Sequence, residues 1–215
     1  MDIKAAIFDL DGVIVSTDEY HYEAWKKIAD EENIYFDREI NERLRGVSRM
    51  DSLEIILEKS KTKYSLDEKI ELSERKNNLY KELLSNLSSK DILIGVMEVL
   101  DTFKKNNIKI AIGSSSRNTE FILNRIGLYN YFDAISDGTQ IKNSKPDPEV
   151  FLLAAKKLGV NAENCLVFED ADSGVEAAIA GKMKVLAVGS ASKNNKANIR
   201  MNDLSYFKYE DILKL

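Results

Sequence analysis

Two carboxylates, Asp9 and Asp11, follow the apolar run 3–8, and a second acidic pair, Glu169 and Asp170, follows the apolar run 165–168. Acids packed together without compensation repel one another, and some would take up protons. A hard divalent cation removes that conflict. Oxygen-only ligands favour magnesium over zinc here, because the chain has one cysteine, Cys165, and one histidine, His21. Ser114 follows the run 108–112, and Lys145 lies in the segment Ser144-Lys145-Pro146-Asp147-Pro148. A hydroxyl and an ammonium beside a metal suit a phosphoryl group held against that metal.

Each piece also has an ordinary reading. An Asp-x-Asp pair can be a turn, Ser114 to Ser116 can cap a helix, and Pro148 can simply start one. Lys145 alone can be a solvated side chain. The ordering decides between them, since every piece falls directly after an apolar strand or in the next loop.

Those strands are expected at 3–8, 108–112, 165–168 and 185–188, with a weaker one at 133–136. They are rich in Ile, Val, Leu and Phe with little polar alternation, as in a sheet covered on both faces. Helical patterns lie between them at 96–106, 119–126, 148–158 and 173–180. The alternation predicts an α/β, doubly wound parallel-sheet core, whose ligands bind at the carboxyl ends of the strands. The stretch after the first strand differs. Segments 19–32, 37–44, 51–59 and 66–84 read as helices, the last with Leu72, Leu79 and Leu83 on its apolar face. An all-helical cap domain inserted at 17–88 is therefore expected, with 1–16 and 89–215 forming the core. Two connections permit hinge closure. The polar stretch 190–198 reads as a loop.

Hydrophobic residues make up 44% and charged residues 31%, which excludes a disordered chain. The net charge of −5 comes without a basic stripe, so no nucleic-acid partner is expected. No apolar run approaches the ~20 residues of a membrane span, and the start lacks the features of a signal peptide. A cytoplasmic, reducing setting is expected, with Cys165 a small buried hydrophobe. No self-pairing motif stands out, so the expected state is a monomer.

At these residues the chain resembles the haloacid dehalogenase-like superfamily of hydrolases and phosphotransferases. The segments that carry the resemblance are Phe8-Asp9-Leu10-Asp11-Gly12-Val13, the strand ending in Ser114, Ser144-Lys145-Pro146-Asp147-Pro148 and Phe168-Glu169-Asp170. The second Asp argues against true dehalogenases, which lack it and bind no magnesium. The inserted region is similar to the cap of the β-phosphoglucomutase family. The matching stretches are Glu19-Tyr20-His21, Ala24-Trp25-Lys26, Gly46-Val47-Ser48-Arg49, Asp51-Ser52-Leu53 and Arg75-Lys76-Asn77. The similarity fades after about Gly189.

The resemblance implies that Asp9 is the nucleophile and carries an aspartyl-phosphate, while Asp11 is general acid and base. It implies magnesium held by Asp9, the backbone carbonyl of Asp11 and Asp170, with Glu169 as ligand or close support. Ser114 and Lys145 would hold the transferring phosphoryl oxygens. Arg49, Ser116, Arg117 and Asn118 match a distal phosphate site, with Arg117 where the family has Lys; Gly46, Val47, Ser48 and Ser115 lie in the same matching segments. Thr17 matches a hinge residue whose ordinary reading is a helix cap. His21 would hydrogen-bond Lys76 or substrate on closure, and Trp25 reads as cap core.

The implied activity interconverts β-glucose 1-phosphate and glucose 6-phosphate, with glucose 1,6-bisphosphate as phosphorylating activator. A small sugar phosphate is thus the expected partner. A sugar-phosphate phosphatase on the same fold is the nearest rival, since water can replace the sugar as acceptor. A non-enzymatic binder and a phosphonate hydrolase using Lys76 are further alternatives; intact Asp9, Asp11, Lys145 and Asp170 speak against the first.

Overall fold

The computed structural model describes residues 2–44, 47–213 and 215. The chain divides into two compact units, Met1–Ser16 with Ser88–Leu215, and Thr17–Leu87.

In chain order the first unit contains β1 (Ala5–Phe8), and the second contains α1 (Asp18–Glu31), α2 (Arg38–Glu42), α3 (Arg49–Leu57) and α4 (Leu66–Leu84). The first unit then resumes with α5 (Val96–Lys105), β2 (Lys109–Gly113), α6 (Thr119–Arg125), β3 (Ala134–Ser136) and α7 (Glu149–Leu158). It ends with β4 (Cys165–Glu169), α8 (Asp172–Ala180), β5 (Lys184–Ala187), β6 (Ile199–Arg200) and α9 (Tyr209–Ile212).

The strands form one parallel sheet in the order β3-β2-β1-β4-β5-β6. All four residues of β1 are buried, as the continuous apolar run requires of a strand covered on both faces. Successive side chains alternate between those faces. Ile7 and Val167 belong to the cluster with Phe151 of α7 and Val175 of α8. Phe8 stacks on Phe168 with ring centroids 4.4 Å apart, and Phe103 of α5 meets both edge-on. Burying each such ring contributes about 1.5–3 kcal/mol. Cys165 is buried in the first cluster, and desolvation pushes its thiol up to about 11, so it acts as a small hydrophobe.

Strand β6 was not expected. Two residues at the sheet's edge are too short to show a period, and a 3-10 turn at Gly189–Lys193 precedes them where a loop was expected.

The helical unit is built by its caps. Asp37, Ser48 and Ser65 accept the backbone N–H three residues on, and Ser65 with Glu68 completes a capping box. The Ser48 cap starts α3 at Arg49, two residues before the expected helix. Trp25 and Ile28 of α1 pack with Leu53 and Ile56 of α3 and Leu72 of α4. The expected apolar face of α4 needs correction: Leu79 and Leu83 are half-buried, while Leu72, Lys76, Tyr80 and Leu84 are buried. That stripe recurs every four residues, and the lysine within it hides it from an apolar pattern.

Candidate active site

The chain leaves β1 towards β2 on one side, and leaves β4 through α8 towards β5 on the other. Between β1 and β4 the connections diverge, and the carboxyl ends of these two strands frame a crevice. The register pairs Phe8 with Phe168, so Asp9 and Glu169 come side by side. The Asp9 N–H donates to the carbonyl of Phe168 at 2.9 Å.

Asp9, Glu169 and Asp170 are all buried, and each turns a carboxylate oxygen to within 4.8 Å of the others. Asp11 is half-buried in the turn that follows β1, where Gly12 N–H donates to Val15 O. Among the described residues its carboxylate is not one of the gathered three, although its negative charge still acts on Asp9. Lys145, only 5% exposed, donates to Asp9 Oδ1 and Glu169 Oε2, both at 2.7 Å. The other oxygen of Glu169 accepts from the N–H groups of Asp170 (3.0 Å) and Ala171 (3.1 Å). Glu169 is thereby gripped from two sides.

Lys145 is the ammonium described beside the three buried acids, and the electrostatics reflect their mutual repulsion. Burial pushes the Asp9 carboxyl up to about 7; Lys145 opposes the rise, and Glu169 and Asp11 add to it. Burial would lower Lys145, but the charges of Asp9 and Glu169 overcome it and hold the ammonium above its usual range. Three close oxygen donors with surplus negative charge fit a hard divalent cation, which favours ionised Asp9.

A raised carboxyl binds its proton more tightly in the folded than in the unfolded state. Without a cation, stability should therefore fall as pH rises from the ordinary carboxylate range to about 7. Added magnesium should remove the fall, and its apparent affinity should drop about tenfold per pH unit below about 7. Calorimetry in EDTA and in magnesium across that range measures both; coincident flat profiles would overturn the account.

Two glycines make room for the acids. Gly12 has φ +79°, and a Cβ there would lie 2.1 Å from Asp170 Oδ2. A Cβ at Gly174, in α8, would lie 2.0 Å from the Glu169 carboxyl carbon. Gly12 belongs to the first motif, beside the first acid pair, and Gly174 lies just beyond the second.

Ser114 is buried at the end of β2. Its hydroxyl accepts from the Ser116 N–H at 3.2 Å, and the Ser116 hydroxyl accepts from the Asn118 N–H at 3.1 Å. These serines thus shape the loop; the residue at the cap of α6 is Asn118, which makes no side-chain cap bond. Ser115 Oγ is buried without a hydrogen-bond partner, Arg117 is exposed and Asn118 is buried.

In the helical unit, Lys76 is 2% exposed and lies 2.7 Å from His21 Nδ1, with its ammonium over the rings of Trp25 and Tyr80. Trp25 is core, as expected. Thr17 occupies the N-cap of α1 but makes no cap bond; its hydroxyl is 2.8 Å from that of Tyr80, a partner motif reading missed. Arg49 donates to Asn77 Oδ1 at 2.8 Å. Val47 and Ser48 lead into α3, with Ser48 donating to Asp51 at 2.6 Å, and Gly46 lies outside the described residues.

A crevice at a strand-order switch, carrying a carboxylate cluster that could hold a metal ion and a buried lysine, fits an α/β enzyme of the hydrolase class. The chain belongs to the haloacid dehalogenase-like hydrolases, whose family model matches residues 3–182. Within that family it is a homologue of β-phosphoglucomutase. The Bacillus subtilis β-phosphoglucomutase is 48% identical over 87% of this chain and 84% of its own length. The crystal structure of β-phosphoglucomutase from Clostridium difficile superposes with TM-score 0.93 at 43% identity, covering 99% of this chain and 96% of that one. A Thermotoga maritima phosphorylated carbohydrates phosphatase is 35% identical over 99% of this chain and 98% of its own. Among the described residues no helix is long and apolar enough to cross a membrane.

Proposed function

We propose that the protein is a magnesium-dependent β-phosphoglucomutase, interconverting β-glucose 1-phosphate and glucose 6-phosphate through glucose 1,6-bisphosphate. The observation that carries the reading is the buried Asp9, Glu169 and Asp170 group with Lys145 bridging two of its members, in a chain 48% identical to a β-phosphoglucomutase.

Asp9 is the nucleophile. Its carboxylate oxygen attacks phosphorus, the bond to the sugar oxygen breaks, and an aspartyl-phosphate results. Asp11 gives a proton to the departing oxygen and takes one from the accepting hydroxyl. Lys145 and Ser114 hold the phosphoryl oxygens, whose charge must be matched while the group moves. Asp9, the Asp11 carbonyl and Asp170 would hold magnesium, with Glu169 as ligand or close support; when bound, the cation would supply positive charge to offset that of the phosphoryl oxygens. Arg49, Ser116, Arg117 and Asn118 take the second phosphate, with Gly46, Val47, Ser48 and Ser115 in the adjoining segments; Arg suits two-pronged contact with it. Thr17, His21 and Lys76 are the substrate-binding residues of the helical unit. Glucose 1,6-bisphosphate primes Asp9.

The relative described as a phosphorylated carbohydrates phosphatase favours a second reading, in which water accepts the phosphoryl group. Phosphorus NMR with magnesium and β-glucose 1-phosphate, with and without the bisphosphate, separates them. Glucose 6-phosphate is the expected product; inorganic phosphate alone would overturn the mutase reading. Arg49→Ala should lose isomerisation by about a hundredfold and phosphate release by much less. Equal losses would remove Arg49 from the distal phosphate.

A further inference from the structure

Residues 137–148 join β3 to α7 without a helix or strand, and they carry Lys145. A lysine has a long, flexible stem, so its ammonium stays on two oxygens only where the backbone beneath it is fixed. Lys145 reaches Asp9 and Glu169 at 2.7 Å each. The first residue of α7, Glu149, holds that stretch of chain from both sides. Its Oε1 accepts from the Lys142 N–H at 3.1 Å, and its Oε2 accepts from the Asn143 N–H at 2.9 Å and the Asn143 side-chain amide at 3.2 Å. Its own N–H donates to Asp147 Oδ1 at 2.9 Å. Between these anchors the Asp147 N–H donates to the Ser144 carbonyl at 3.1 Å. Lys145 thus stands in a turn pinned at either end by one residue. The backbone donors hold the Glu149 carboxyl below its usual range, which keeps both oxygens as acceptors. Phe151, two residues further along α7, sets its ring against the ammonium, with Lys145 Nζ 4.6 Å from the ring centroid. Gly113 of β2 makes room for that ring, since a Cβ there would lie 2.7 Å from Phe151 Cδ1. One helix therefore fixes this lysine both by its backbone and by its tip.

We propose that Glu149 is a positioning residue for Lys145, tethering the turn that presents its ammonium to the transferring phosphoryl group. This rests on the role of Lys145 in the proposed phosphoryl transfer. Glu149 acts through the turn and touches no reacting atom.

The test compares the parent chain, Glu149→Gln, Glu149→Ala and Lys145→Ala, each at full length with magnesium. The Phe151 ring current shifts the Lys145 Hε protons upfield, and carbon-edited proton NMR identifies them as the signal missing from Lys145→Ala. The other readouts are kcat and KM for isomerisation of β-glucose 1-phosphate, and thermal midpoint. Glu149→Gln keeps the size but turns an amide NH2 towards one of the backbone donors, so the tether loses a side. The Lys145 signal should move and broaden in that variant. Turnover should fall about tenfold in Glu149→Gln and about a hundredfold in Glu149→Ala, with smaller changes in KM. A merely structural Glu149 would lower the thermal midpoint and leave the Lys145 signal and kcat of the folded protein unchanged, and that result would overturn the proposal. Should Glu149→Ala fail to fold, Glu149→Gln decides. Full isomerisation by Lys145→Ala would overturn the phosphoryl role of Lys145, and release of phosphate alone by the parent would overturn the mutase reading. In both cases the Lys145 signal of Glu149→Gln still reads the tether on its own.

Discussion

Asp9→Asn is expected to abolish turnover while leaving the protein folded. The variant keeps the shape of the side chain but removes the oxygen that attacks phosphorus. The loss should be about 10⁴-fold or more, as for other nucleophiles. Intact-mass spectrometry after exposure to glucose 1,6-bisphosphate should find no phosphorylated protein, whereas the parent chain gains one phosphoryl group. Stability should move the other way. Asp9 is buried with its carboxyl raised to about 7, so its ionised form is disfavoured at neutral pH without a cation. Lys145 keeps Glu169 at 2.7 Å as a partner. In EDTA near neutral pH the variant should therefore melt no lower than the parent, and added magnesium should raise its midpoint less. Full activity in this variant would refute Asp9 as nucleophile.

Gly174→Ala should be harmful, against the usual expectation for a glycine inside a helix. Helix propensity alone favours alanine by about 1 kcal/mol. Here the new methyl would stand 2.0 Å from the Glu169 carboxyl carbon and 2.4 Å from its Cγ. Overpacking of this kind costs about 1–3 kcal/mol. The larger effect falls on the site. Glu169 must shift, and it then loses its two backbone N–H donors, its hold on Lys145, or both. Disturbing a group that orients metal ligands lowers affinity or activity by about 10–100-fold. Magnesium titration by calorimetry, together with the thermal midpoint, reads both effects. An alanine variant that binds magnesium normally and melts higher would show that the helix yields instead.

The placement of Asp9 and Glu169 was legible because parallel strands announce themselves as unbroken apolar runs, and the residues just past the ends of such strands must gather at one rim. Lys145 could be assigned to the same rim for that reason. Other parts of the site are set by contacts that leave no local pattern. Lys76 is buried against two rings and a histidine, yet a lysine scores as surface in any hydrophobic reading, so the apolar pattern of α4 is centred beside the buried stripe, sharing Leu72 with it. The Thr17–Tyr80 pair joins residues 63 apart. Gly12 and Gly174 matter for what a missing Cβ leaves open, which appears only when the acids are in place. The gathering of carboxylates takes in three of the four acids, because Asp11 stands in the turn beyond the strand, where alternation along β1 no longer governs direction.

The sheet order also bears on how the chain is made. Strand β1 is central, and its partners are Lys109–Gly113 on one side and Cys165–Glu169 on the other. A growing polypeptide emerging from the ribosome therefore carries its first strand with two bare edges through the synthesis of the entire helical insertion, and with one until residue 169 has been added. Loop closure over such distances is slow, and an unpaired apolar strand is prone to meet its like on another chain. The nucleophile's own strand thus waits long for its shield, so chaperone demand during translation should peak before β4 appears.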